Sequence, residues 1–441
     1  MNFVDIILDK RYGKALSDEQ IDFFIKSVTE KTVPDYQVSA LLMAIVLNGM
    51  DDREMTTLTM KMASSGDMND LSYVDGIAVD KHSTGGVGDK ITPIVLPLCA
   101  TFGVPGVKLS GRGLGFTGGT VDKFESIKGF NVQVSSEDFP KYIEKSGMVI
   151  SGQTPSLAPA DKILYALRDV TGTVDSIPLI ASSIMSKKIA GGAEAIVLDV
   201  TCGSGAFMKT REDAEKLARA MISIGNLAGR KTVAVITDMD EPLGKAVGNV
   251  LEMQEVHEIL LGRGSEDVID VACALASQMI TLAGKNEGMS IDVLTEECRK
   301  RIADGTVLSK YYELIISQGG NILPSGAPEY VEKPFEEMRV PAAEEGYISG
   351  IKADVIGKAS VLLGAGRMTK EDEIDYGAGI CFYKKVGDKV KRGDVVCSLY
   401  RGESATLDDE KLFDVMEMVS DAITYSSEPV TPHKAVIDVI T

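Results

Sequence analysis

Apolar positions recur at helical spacing through the first 65 residues. Ile21, Phe24, Ile25 and Val28 share one helix face. Ser17 stands ready to cap that helix, Gly49 breaks a later one, and Asp51 and Asp52 supply an acidic start to the next. Three or four short helices are predicted. Near residue 66 the pattern changes to short apolar runs alternating with helix-length segments. GIAVD, VKLS, FNVQVS (130–135) and GMVISG (147–152) read as strands; ITPIVLPLCATFG, TVDKFESIKG and SEDFPKYIEKS read as helices. Two helices, PADKILYALRD and IPLIASSIMSKKIA, then follow with no strand between them, before AIVLDV (195–200) resumes the alternation. REDAEKLARAMISIGNLAGR continues it as a helix, KTVAVITDM as a strand, and the chain is helical into the 310s.

This order predicts an α/β protein. A small all-helical domain takes residues 1–65 and, after an excursion, 154–192; a large mixed-sheet α/β domain takes 66–153 and 193–330. The Pro-, Glu- and Ala-rich stretch within 331–345 reads as a connection, and 346–441 as a C-terminal α+β portion with Gly-Asp turns between short strands. The crossings between domains are natural hinge positions.

Two glycine-rich loops carry the first chemical signal. DKHSTGGVGDK (80–90) and SGRGLGFTGGT (110–120) each follow a predicted strand and lead into a helix, where free backbone N–H groups and the helix dipole favour an anion. Glycine leaves room for close approach, and Lys81, Ser83, Thr92, Ser110 and Thr120 offer a charge and hydroxyl donors. Neither loop is a GxxxxGK[ST] nucleotide loop, and neither has the setting of a dinucleotide site. Inorganic phosphate or a sugar phosphate fits better. The second signal is on the paired helices: Tyr165 and Arg168, and Ser183 and Lys187, each fall on one helix face. Such a face could bind the polar edge of a base; the same spacing also suits an ordinary solvated surface.

Composition narrows the partners. A formal charge of −19 leaves no excess of Lys and Arg to follow a nucleic-acid backbone, so the anion site must be locally basic in an acidic protein. No apolar run is long enough to span a membrane. The six cysteines are scattered without a CxxC pair and read as reduced thiols of a cytoplasmic protein; three histidines make a histidine-rich metal centre a poor fit.

The run VDKHSTGGVGDK, then KLSGRGLGFTGGTVDKFESIKGF, SGQTPSLAPADKILYALRDVTGTVDSIPLIASSIMSKKIAGG and LDVTCGSGAFMKT, resembles the thymidine and pyrimidine-nucleoside phosphorylases, most closely the bacterial pyrimidine-nucleoside enzymes, along essentially the whole chain. The resemblance implies reversible phosphorolysis of a pyrimidine nucleoside to free base and pentose 1-phosphate, by a homodimer needing no cofactor. It implies phosphate contacts for Lys81, Ser83, Thr92, Ser110 and Thr120, with Thr92 replacing a serine of some members. It implies base contacts for His82, Tyr165, Arg168, Ser183 and Lys187, of which His82, Arg168 and Lys187 would stabilise the departing base. Gly88, Leu243, Ala246 and Glu255 match positions that hold potassium in relatives. Lys90 stands where those relatives have threonine, so its ammonium is expected to replace the ion by pairing with Glu255. VGDKVKRGDVV resembles the barrel-sandwich pattern of biotinyl and lipoyl carriers, but no modifiable hairpin lysine is evident. A phosphoribosyltransferase using a pyrophosphorylated sugar, or a noncatalytic regulatory relative, are the alternative readings.

Overall fold

The computed structural model describes residues 1–113, 118–369, 372–403 and 409–441; the centre of the second glycine loop, 114–117, lies outside them. Four helices open the chain: α1 (Phe3–Arg11), α2 (Asp18–Thr29), α3 (Asp35–Asn48) and α4 (Asp52–Ala63). Ser17 and Gln20 exchange side-chain and backbone hydrogen bonds at the start of α2, as Asp51 and Glu54 do at the start of α4. Gly49, at φ 68°, ends α3.

The α/β alternation follows as β1 (Val79–Ser83), α5 (Thr92–Ala100), β2 (Gly106–Ser110), α6 (Thr120–Glu125), α7 (Phe139–Ser146) and β3 (Met148–Gly152). After α8 (Pro159–Asp169) and α9 (Ile177–Ala190) come β4 (Ala195–Cys202), α10 (Arg211–Leu227), β5 (Lys231–Asp238), β6 (Ala246–Val247), α11 (Asn249–Leu260), α12 (Glu266–Leu282), α13 (Ile291–Ala303) and α14 (Thr306–Ser317). The C-terminal portion holds β7 (Pro334–Pro341), β8 (Gly346–Ile351), α15 (Ala353–Leu362), β9 (Gly379–Phe382), β10 (Lys389–Val390), β11 (Val395–Gly402), α16 (Asp409–Asp421), β12 (Ile423–Ser426) and β13 (Val436–Ile440).

Strands β1, β4 and β5 are parallel neighbours, and β13 closes the far edge antiparallel to β5. The apolar run of β4 is buried on both faces. Val197 and Val235 join the core of α5, α11, α12 and α14, while Ile196, Leu198, Ala234 and Ile236 pack against α9 and α10. Strands β2 and β3 form a separate parallel pair beside β1. In the C-terminal portion, sheets β10-β8-β12 and β6-β9-β11-β7 enclose a core with α15 and α16.

Helix α9 is the seam. Leu179 in its first turn joins the core of the N-terminal helices, together with Ala160 and Leu164 of α8. Ala181 and Met185 pack on β4 and α10, and Ile189 and Ala190 in the last turn pack with Leu109 and Val149 of β2 and β3.

Three local expectations change. Strand β1 begins at Val79 and runs through Ser83, so Lys81, His82 and Ser83 are strand residues rather than loop residues; pairing with Ala195–Asp199 of β4 carries the polar end into the sheet. FNVQVS lies along β3 without forming a ladder: the Gln318 side-chain amide donates to the Ile150 carbonyl and accepts from the Ile150 N–H, both at 2.8 Å, which leaves the segment a backbone bond from Gly152 N to the Val132 carbonyl and bonds to the Ser151 hydroxyl. The stretch read as a connection contains β7, which among the described residues is an edge strand paired with β11; its charged, half-exposed residues resemble a linker because charge protects such edges.

Candidate active site

The two faces of β1 serve different neighbours. Asp80 and His82 are in register with Ile196 and Leu198 and share the face towards α9, whereas Lys81 and Ser83 are in register with Val197 and Asp199 and share the opposite face. Lys81 is almost fully buried, 3.3 Å from Asp199 and 3.8 Å from Asp89. Burial alone opposes its charge, but the two carboxylates hold its pKa above the ordinary lysine value. Burial likewise works against the Asp89 carboxylate; Lys81, Lys123 and the Ser83 hydroxyl overcome it and bring the pKa down to about 2. Asp199 is pushed up by burial, against the pull of Lys81, and accepts from Thr237 Oγ1 at 2.7 Å.

On the other face, Asp80 accepts from Lys188 Nζ at 2.7 Å and Lys108 Nζ at 3.3 Å. Lys108 also donates to the Lys81 carbonyl. Burial pushes the Lys108 pKa down to about 7 despite Asp80, with Lys188 and Lys81 adding to the fall. His82 is half-buried and has no hydrogen-bond partner among the described residues. Its pKa is well below the usual histidine value, first through burial and then through Lys188, Lys108, Lys187 and Lys81, so the ring is neutral at pH 7.

Thr92 and Thr120 are the first residues of α5 and α6, and Ser110 is the last of β2. Their hydroxyls have no hydrogen-bond partner among the described residues, which leaves them available to a ligand. On α8, the Arg168 guanidinium lies 5.7 Å from the centre of the Tyr165 ring. Three Arg168 donors are already used, by the carbonyls of Thr173 (3.1 Å), Leu179 (3.2 Å) and Val174 (2.8 Å). Two of its five N–H groups remain. On α9, Lys187 donates to Ser183 Oγ at 3.0 Å and to Asp161 at 2.6 Å.

Sequence reasoning expected a locally basic site. Instead each buried lysine has a carboxylate: Lys81 with Asp199, Lys108 and Lys188 with Asp80, and Lys123 with Glu252 at 3.1 Å. An unpaired ammonium could not be buried at tolerable cost, and this requirement supplies the missing acids. Asp80, Asp89, Lys108, Lys123, Lys188 and Asp199 were not singled out from the sequence. Asp89 and Lys108 lie inside or beside the glycine loops, so the loop motif itself was the available signal; Asp199 and Lys188 give no local one.

The residues matched to a potassium site also converge, around an ammonium. Lys90 is fully buried, 3.1 Å from Glu255, and donates to the Leu243 carbonyl. A Cβ on Gly88 would meet the Leu243 and Ala246 carbonyl oxygens at 2.6 and 3.2 Å and Lys90 Nζ at 3.2 Å. Glu255 is otherwise held by the backbone N–H groups of Lys245 and Ala246 and by Ser265.

Family models match three stretches of the chain: a glycosyl transferase helical-bundle domain at residues 4–66, a glycosyl transferase α/β domain at 75–307, and a pyrimidine nucleoside phosphorylase C-terminal domain at 347–426. The chain is 50% identical to a pyrimidine-nucleoside phosphorylase of Staphylococcus haemolyticus over 99% of its own length and 100% of the relative's. It is 50% identical to one of Bacillus subtilis, over 98% of each. The solved anthranilate phosphoribosyltransferase of Thermus thermophilus shares the fold, with a TM-score of 0.56 at 17% identity, covering 71% of this chain and 99% of its own. Matched in all three stretches and half identical to full-length relatives, the chain belongs to the pyrimidine-nucleoside phosphorylase family.

Proposed function

We propose that the protein catalyses reversible phosphorolysis of pyrimidine nucleosides, with inorganic phosphate displacing the base at C1′ to give free pyrimidine and an α-pentose 1-phosphate. One observation carries the reading. The 2.7 Å pair between Lys188 and Asp80 ties helix α9, which carries Ser183 and Lys187, to strand β1, which carries Lys81, His82 and Ser83, and this supports a single site although the two elements are far apart in sequence. Lys81, Ser83, Thr92, Ser110 and Thr120 hold phosphate; Tyr165, Arg168, Ser183, Lys187 and His82 hold the base. As the C1′–N1 bond lengthens, negative charge spreads over the pyrimidine O2 and O4, where Arg168 and Lys187 stabilise it. Neutral His82 donates a hydrogen bond there without placing a further charge among the lysines in the ground state. No protein nucleophile is required.

The finer parts of the proposal are a homodimer, a cytoplasmic location and a lobe division at 1–65, 66–153, 154–192 and 193–330. The Lys90 ammonium takes the place of a potassium ion, and no other cofactor is needed. Incubating the protein with thymidine, deoxyuridine, uridine and cytidine, with and without phosphate, tests the reaction class. Base release that requires phosphate and survives chelation of divalent metals supports it. Turnover only with a pyrophosphorylated sugar and magnesium would assign the fold's transferase chemistry instead.

A further inference from the structure

The C-terminal portion touches the neck of the second glycine loop. Gly113 and Gly119 bracket that neck so closely that a Cβ on Gly119 would lie 2.0 Å from the Gly113 nitrogen and 2.6 Å from Asp122 Oδ2. Asp122, in the first turn of α6 and 1% exposed, closes the neck by accepting from Gly113 N at 2.6 Å. Its other oxygen accepts from Arg112 and from Arg367, each at 3.1 Å. Arg112 belongs to the loop and its side chain is 46% exposed; Arg367 comes from the segment between α15 and β9 and is 16% exposed. The same segment is fastened to α11, where Asn249 Nδ2 donates to the Ala365 carbonyl at 2.9 Å and Val250 N to the Tyr376 carbonyl at 3.1 Å. Tyr376 also donates to Glu125 of α6 at 3.4 Å.

We propose that Arg367 is a positioning residue for phosphate, and that the C-terminal portion serves as a strut for Gly113 and the start of α6. A buried carboxylate needs a partly desolvated cation to stay charged in place, and Arg367 is the better shielded of the two that Asp122 has. With Asp122 held, Gly113 stays against Gly119 and Thr120 keeps its place at the start of α6. Without Arg367, Asp122 shifts towards exposed Arg112 and the neck loosens. The inference rests on the assignment of Ser110 and Thr120 to phosphate.

The test compares Arg367→Gln and Arg367→Lys in steady-state kinetics against each substrate, with calorimetric titration of inorganic phosphate alone. Loss of a charged hydrogen bond should raise the phosphate KM of Arg367→Gln about tenfold, with the nucleoside KM unchanged within about twofold. Arg367→Lys, which keeps the charge, should recover part of the loss. Tyr376→Phe, a smaller change on the same strut, should shift phosphate KM in the same direction and leave nucleoside KM alone. Equal rises in both KM values, or phosphate binding unaltered in all three variants, overturns the inference while leaving the reaction assignment intact. Failure of the unaltered protein to bind phosphate overturns both.

Discussion

Replacing Lys90 by threonine should turn a potassium-indifferent protein into a potassium-responsive one. The substitution removes a fully buried ammonium from Glu255 at 3.1 Å and from the Leu243 carbonyl, and leaves a hydroxyl with space around it. Breaking a buried ion pair costs about 3–5 kcal/mol, and the lower end applies because Glu255 keeps three other donors. Lys90→Thr should therefore lose about 3 kcal/mol in potassium-free buffer. The space is lined by the Leu243 and Ala246 carbonyls and Glu255, all oxygen donors suited to a hard cation. Potassium at about 100 times its dissociation constant would restore about 2.7 kcal/mol. Urea denaturation in potassium chloride and in tetramethylammonium chloride, at matched ionic strength, separates specific binding from screening. The unaltered protein should give the same midpoint in both salts, and Lys90→Thr a higher one in potassium. A potassium-specific rise in the unaltered protein, or none in the variant, would refute the substitution of ammonium for ion.

Lys81→Ala should lower kcat/KM for phosphate by roughly 10–100-fold and affect nucleoside KM little, because it removes the cation between Asp89 and Asp199 on the face away from α9; unchanged phosphate efficiency in steady-state kinetics would remove Lys81 from the anion site. Lys187→Met should slow phosphorolysis of thymidine by roughly 100-fold while sparing phosphate affinity, and a nucleoside with a more acidic base should recover part of the rate. Equal losses for both nucleosides with collapsed phosphate affinity would assign Lys187 another role. Lys108 should contribute stability that grows with pH between about 7, its folded pKa, and about 10.4, its unfolded value, since the unfolded chain there holds a proton that the folded chain lacks. Between pH 7 and 9 the buried thiols, held up by burial, pull stability the other way, so the test is a difference: the change in urea midpoint should be more positive in the unaltered protein than in Lys108→Met, and an identical change in both contradicts the assignment.

Local grammar made much of the fold readable. Helices α8 and α9 were legible end to end because each begins with a proline in its first turn and carries apolar residues at helical spacing. The limits appear where a distant residue decides the outcome. FNVQVS alternates like a strand, yet the Gln318 side chain takes both backbone groups of Ile150 and so interrupts the ladder it would make with β3. The β1 boundary was misplaced because charged residues were expected to leave the sheet, whereas Lys188, Lys108 and Asp199 provide buried partners that keep Asp80 and Lys81 within it. The same cause hid half of the candidate site. Helical spacing pairs Ser183 with Lys187 directly, as the 3.0 Å bond shows, but no spacing rule connects Asp122 with Arg367.

The most direct test is nuclear magnetic resonance of the products formed from uridine and thymidine in phosphate buffer and in phosphate-free buffer. Displacement by phosphate on the face opposite the base predicts free pyrimidine and α-pentose 1-phosphate in equal amounts, reversal when both are supplied, and no base release without phosphate. Free pentose, a β-anomer of the sugar phosphate, or release indifferent to phosphate would contradict the account.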